Sequence, residues 1–313
     1  MDIDKITEIK RKGQYSLAEH YYRIALKDNL DSKELWNGLL EVCFLQGKKE
    51  TTKKLIEEIK QKFEKNYYPY HIEYTIKLDE ESEDVEIFFE QCENDFRSDV
   101  IFQYDKFIYY SEKRKNNEAI EIAENYLVNN DKIYSRIALD LSNIYISNNE
   151  YEKAIEVLLR AFILSNDFLF VPSVILIYTY IDDIENALKY CDILLESNNT
   201  LLMLEARLFK CILDKSINQK NNELQRIIEE CMKMDISYPL RINIDLLLVV
   251  AYYCNKEFDK AIDRIDFIEN ICGGATEETV HMRRLINNDS QKIDVVESLD
   301  IYILKDMLKM FYS

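Results

Sequence analysis

The sequence predicts an all-α chain, an α-solenoid of about nine helical hairpins, and three observations predict it. A small residue heading a helical apolar pattern recurs at Ala18, Thr52, Val85, Ala119, Ala154, Ala187, Leu224, Ala261 and Val295, in steps of 34, 33, 34, 35, 33, 37, 37 and 34 residues. Only 5 Gly and 3 Pro occur in 313 residues, too few for the many tight turns of an all-β chain of this size. Short polar breaks divide the apolar stretches. A period near 34 residues means stacked helix–turn–helix units, because one hairpin cannot bury its apolar face alone. No stretch is rich in Pro, Gly or Ser, so residues 1–313 are expected to form a single array.

Each unit has its own signal. The first is anchored by Ala18, and the second opens with Trp36, Leu39, Leu40 and Cys43 ahead of Thr52. In the third, the acidic run Asp79 to Glu86 reads as a hairpin turn and helix start; a calcium loop would alternate Asp and Asn around a central Gly, a pattern the run lacks. Asn116-Asn117 breaks the fourth unit before Ala119. The fifth, Ser135 to about Phe168, is the best written, because apolar residues at 151, 154, 155, 158, 159, 162 and 163 form one helix face after the Ser147-Asn148-Asn149 break. In the sixth, Phe168 to Ile181 is expected to be a buried first helix, with a lipid- or peptide-binding groove as the alternative. Its 14 residues are too few to cross a bilayer. Ile184, Ala187, Leu188, Cys191, Leu194 and Leu195 then repeat the stripe. Leu224 stands where the seventh unit wants a small residue, and the registers of the third and seventh units are left open. Phe258, Ala261, Ile262 and Ile265 mark the eighth, and Gly273-Gly274 a turn before the ninth.

Within the fifth unit, Ala138, Leu141, Ser142, Tyr145, Tyr151, Ala154, Leu158, Ala161 and Asn166 fall at places 4, 7, 8, 11, 17, 20, 24, 27 and 32. This spacing resembles the tetratricopeptide-repeat motif. Trp36, Leu39, Leu40 and Cys43 reproduce the motif's Trp-x2-Leu-Gly-x2-Tyr opening, with Leu for Gly and Cys for Tyr. The resemblance implies a right-handed superhelix in which places 8, 20 and 27 stay small at close helix crossings. It also implies a concave groove lined by places 2, 5, 9 and 12 of the first helices. Carried onto this chain, those places give candidate ligand-binding residues Asn37, Tyr70, Tyr74, Tyr104, Arg136, Asn143, Arg207, Tyr253 and Arg284, beside Glu41, Ile108, Leu139, Leu176, Leu246 and Val250. Aromatic side chains supply contact area, and Arg and Asn can bond a peptide backbone or carboxylate. The Lys/Asn carboxylate clamp of chaperone-binding members has no counterpart among these places.

Composition narrows the function. The net charge of -18, from 58 acidic and 40 basic residues, argues against nucleic acid as the main partner. Lys10-Arg11-Lys12, the Lys48 to Lys65 segment and Lys113-Arg114-Lys115 are expected to be solvated faces and helix ends. The amino terminus lacks the apolar core of a secretory signal, and seven dispersed cysteines, at 43, 92, 191, 211, 231, 254 and 272, fit a reducing cytoplasm. No Gly-rich phosphate loop occurs. His20, His71 and His281 form no metal-binding spacing, so neither cofactor nor metal is expected and the chain is not expected to be an enzyme. The expectation is a cytoplasmic protein- or peptide-binding scaffold or adaptor, or a peptide sensor. Peptide-pheromone receptors resemble it, but a first repeat starting near Met1 leaves no place for their helix-turn-helix domain. A structural subunit acting by self-association or by holding an enzyme partner is the alternative. That alternative rests on Gln291 to Phe311, a terminal helix apolar nearly all round, whose Leu304, Leu308 and Phe311 would form a homodimer or partner interface.

Overall fold

A computed structural model describes residues 3–82, 84–213, 222–233 and 240–290, and every regular element among them is a helix. The chain divides into two compact units, Met1–Ile133 and Tyr134–Ser313. The first unit contains α1 (Ile3–Arg11), α2 (Tyr15–Asp28), α3 (Lys33–Leu45), α4 (Lys49–Lys62), α5 (Tyr68–Asp79), α6 (Val85–Phe96), α7 (Val100–Glu112) and α8 (Asn116–Ile122), which runs on as a π-type segment, Ala123–Leu127. At the junction begins α9 (Asp131–Ser147). The second unit continues with α10 (Tyr151–Ser165), a 3-10 turn at Phe168–Phe170, α11 (Val171–Tyr180), α12 (Ile184–Leu195), α13 (Thr200–Leu213), α14 (Asn222–Lys233), α15 (Leu240–Cys254), α16 (Phe258–Cys272) and α17 (Glu277–Ser290). Sequential helices pair into hairpins within each unit, as the 34-residue period requires.

The hairpin turns repeat in one form. Gly13, Gly47, Glu81, Arg114, Asn149, Asp182 and Lys256 all take the left-handed conformation, with φ from 50° to 73°. After each, the next amide donates to the carbonyl five residues back, as in Gln14 to Ile9, Lys115 to Tyr110 and Glu257 to Tyr252. This bond closes the first helix by satisfying a carbonyl the helix leaves orphaned. The turn residue precedes the small anchor by five positions, except in the third unit, where Glu81 precedes Val85 by four. Asn therefore closes fewer turns than the sequence suggests. Asn116 and Asn117 already belong to the first turn of α8, and Arg114 makes the bend.

Burial explains the small anchors. Ala18, Ala119, Ala154, Ala187 and Ala261 are wholly buried, as are Ala138 and Ala161. A larger side chain at these positions would push apart helices already in contact. The approach of α2 and α3 is close enough that a Cβ added at Gly38 would lie 2.4 Å from Tyr22 Cζ. Val85 and Leu224 are also buried, so the third and seventh units fill the anchor position with bulkier side chains. The expected apolar first helix of the sixth unit is α11, with Val171, Val174, Ile175 and Ile177 in the core. No described helix is long and apolar enough to cross a membrane. The buried thiols of Cys43, Cys191 and Cys231 fill packing positions. Residues 291–313 lie outside the described residues, and with them Leu304, Leu308, Phe311 and the proposed terminal interface helix.

Candidate functional site: exposed and buried faces of the first helices

The first helices position the candidate residues, and the packing divides them into surface and core. On α9, buried Tyr134, Ile137, Ala138, Leu141, Ser142, Ile144 and Tyr145 hold one side of the helix in the core. The other side presents Arg136, Leu139, Asp140 and Asn143, all exposed, with Leu139 42% accessible. Spacings of three and four residues put them on a continuous face. Neither Arg136 nor Asn143 is engaged by another described side chain. A fork of guanidinium donors, an aliphatic surface and a primary amide thus stand together in water. Arg284 is likewise exposed, on α17.

Other candidates are committed elsewhere. The amide of Asn37 exchanges hydrogen bonds with that of buried Asn66 at 2.8 and 3.4 Å, tying α3 to the segment before α5. Tyr70 is half-buried, stacked on Tyr67 and tilted against Phe96, with the Lys60 ammonium 4.2 Å from its ring centroid. Arg207 donates to Glu230 at 2.6 Å and Glu223 at 3.2 Å, which clamps α13 onto α14. Tyr104 is half-buried on α7. Tyr74 and Tyr253 correct the expectation of a groove position: each is buried, Tyr74 donating to the Asp105 carbonyl oxygen at 3.3 Å and Tyr253 packing on Phe258. Leu176, Leu246 and Val250 are buried too. The physical reason is visible in α15, where every residue from Ile244 to Tyr253 is in the core, so the helix offers no free face at places 5, 9 or 12.

Two groups that sequence reasoning passed over stand out. The first is a polar cluster between α5 and α7. The Asp105 carboxylate, buried, accepts from the Tyr67 hydroxyl at 2.9 Å and from His71 Nδ1 at 2.9 Å. Burial pushes the Asp105 carboxyl up, opposed by the His71 and Tyr67 hydrogen bonds, and the same burial raises the Tyr67 hydroxyl. His71 and Asp105 lie 34 residues apart, one repeat step, which is the one sequence signal that could have paired them. The second is Glu205 on α13, 8% exposed and unpartnered among the described residues, its carboxyl pushed up to about 7 by burial. It lies on the buried side of α13, between apolar Leu202 and Phe209. The thiols of Cys92 and Cys191, pushed up to about 12 chiefly by burial, are protonated and inert as nucleophiles at neutral pH.

Helical hairpins with small buried crossing residues and a recurring left-handed turn define an α-repeat architecture. The family model for the tetratricopeptide repeat matches residues 10–51, and the helical hairpins of the described residues are similar to that repeat. No curated protein matches it. Among solved structures it is similar to the anaphase-promoting-complex hetero-tetramer Cut9–Hcn1, at 16% identity and a TM-score of 0.47 over 62% of this chain and 39% of that one. It is similar also to PilF of Pseudomonas aeruginosa, at 11% identity and a TM-score of 0.47 over 64% of this chain and 93% of that one. The P58(IPK) TPR domain is 14% identical over 97% of this chain and 88% of its own, with a TM-score of 0.31.

Proposed function

We propose that the chain is a non-catalytic, cytoplasmic scaffold that binds an extended segment of a protein or peptide along its first helices. The observation that carries this reading is the face of α9, where Arg136, Leu139 and Asn143 are exposed together and neither polar group has a partner to give up on binding. An extended peptide leaves backbone donors and acceptors unpaired, and an Asn amide matches both at once while the Arg fork takes a carbonyl or carboxylate. Leu139 adds apolar area beside them. Support for a non-catalytic role comes from the chemistry of the core: burial pushes Tyr67, Cys92 and Cys191 toward their protonated, unreactive forms. Affinity capture from the source cells, followed by mass spectrometry, identifies the partner. Arg136→Ala with Asn143→Ala is then expected to lower affinity for that partner by tenfold or more, as roughly two lost charge-assisted or neutral hydrogen bonds require, with an unchanged melting temperature. Undiminished affinity in the double variant contradicts the placement.

A further inference from the structure

We propose that a cleft in the first unit, where the α3–α4 hairpin meets α5, is a binding site for a small dipolar molecule, a free amino acid with a large apolar side chain. The cleft has a volume of about 300 Å³. That is the lower end of the roughly 300–1,000 Å³ of small-molecule sites, so it suits one amino acid rather than a longer peptide. Its floor is apolar. Phe44 and Leu45, at the end of α3, and Ile76, near the end of α5, line it, and Leu45 is 45% exposed. Buried Thr52 lines it too, with its hydroxyl donating to the Lys48 carbonyl oxygen at 3.0 Å.

Around this floor, two helices bring charges of opposite sign. Lys49 and Lys53, four residues apart at the start of α4, supply two ammonium groups, and Asp79 and Glu80, at the end of α5, supply two carboxylates. These are the charged side chains that line the cleft, and none of the four forms an ion pair or side-chain hydrogen bond with a described residue. Neighbouring Lys48, by contrast, is engaged by Glu19 at 2.5 Å. The helix ends add to the division. The start of α4 carries partial positive charge beside the lysines, and the end of α5 carries partial negative charge beside the carboxylates. A ligand with only a carboxylate is drawn by the lysines and opposed by Asp79 and Glu80, and an amine meets the reverse. An amino acid offers both charges at one end and its side chain at the other, which matches a rim of both signs over an apolar floor.

The probes are leucine and phenylalanine, together with isocaproate, which is leucine without its amine, isoamylamine, which is leucine without its carboxylate, and N-acetylleucinamide, in which both charges are masked. Carbon-13 methyl signals of Leu45 and Ile76 in the full-length protein, assigned through Leu45→Met and Ile76→Val, report on the cleft. Ile163, 79% exposed on α10, reports indiscriminate apolar contact. At least one of the two amino acids is expected to move Leu45 and Ile76 saturably and to leave Ile163 in place. The three altered probes should bind at least about fivefold more weakly than leucine or phenylalanine. Lys49→Gln with Lys53→Gln should weaken amino-acid binding by about fivefold without weakening isoamylamine, and Asp79→Asn with Glu80→Gln should do the same without weakening isocaproate. All four positions are exposed, so the melting temperature should not change and a lost response is not unfolding. Cleft signals unmoved by both amino acids, equal movement of Ile163, an altered probe that binds as tightly, or charge variants that weaken every probe alike would each overturn the proposal. Arg136→Ala with Asn143→Ala is expected to leave the response intact, which separates this site from the face of α9.

Discussion

Two of the first helices, one from each unit, pack in opposite ways. In the first, α5 meets α7 through a buried polar cluster of Tyr67, His71 and Asp105. In the second, α15 is buried on every side by aliphatic and aromatic residues, and its one polar side chain from Ile244 to Tyr253, Asp245, is paired with Arg264 at 3.3 Å. A polar seam sets register and leaves an oriented group at the surface; an apolar helix contributes more burial and leaves none. Place 9 of the repeat is likewise exposed as Asn143 in one hairpin and buried as Val250 in another, depending on what covers it.

The strongest break of this comparison is at a shared element, the small crossing residue. Ala154→Arg is expected to destabilise the protein by several kcal/mol, because a long cation is forced into a crossing that is wholly buried. Exposed Glu156→Arg on the same helix should cost under about 0.5 kcal/mol. Chemical denaturation of both reads the difference, and equal losses would mean that the repeat register is wrong.

Next in size is the seam itself. Asp105→Ala strands the buried Tyr67 hydroxyl and removes the acceptor for His71, so a loss of about 3 kcal/mol is expected by denaturant titration. An apolar position of like burial would lose a comparable amount by leaving a cavity, so the decisive comparison is Asp105→Asn. That variant keeps the volume and should recover at least about 1 kcal/mol of the loss.

Glu205 sharpens the contrast from the apolar side. Its carboxyl is raised from 4.5 to about 7, so the folded chain holds a proton that the unfolded chain has released between those two values. The contribution of this group is full below about pH 4.5 and is lost as pH rises through 7, by roughly 3 kcal/mol in all. Glu205→Leu should be more stable than wild type at pH 8, and the gap should close as pH falls toward 4. A gap independent of pH would show that Glu205 is not titrating in the core.

Most of the fold was legible in the sequence. The period located the helical pairs because the crossing geometry leaves room only for small residues such as Ala18, Ala154 and Ala261, and that demand repeats with the backbone. The faces of the first helices were less legible. Arg136 and Asn143 emerge exposed from the place rule, yet Tyr74 and Tyr253, picked by the same rule, are core residues. Place fixes where a side chain leaves its helix, whereas burial depends on neighbours that no single repeat encodes. Asp105 and Glu205 were missed because the apolar pattern tolerates one polar residue, and only three-dimensional burial shows the cost.

The smallest effect concerns the turns. Arg114 and Lys256 hold left-handed backbone without being glycine, at φ of 56° and 62°. Changing either to Gly should raise stability by up to about 1 kcal/mol, net of the entropy glycine adds to the unfolded chain. A loss at both sites by thermal unfolding would show that their side chains stabilise the turn by other contacts.

The central claim, that partners are read by the exposed faces of first helices, is tested most directly by photo-cross-linking. A benzophenone amino acid is placed at Asn143 on α9 and, separately, at Glu156 on the exposed side of α10, in otherwise unchanged full-length protein in its source cells. The account predicts a discrete cross-linked partner from position 143 and none from position 156. Equal cross-linking at the two positions, or a partner captured only from position 156, would contradict it.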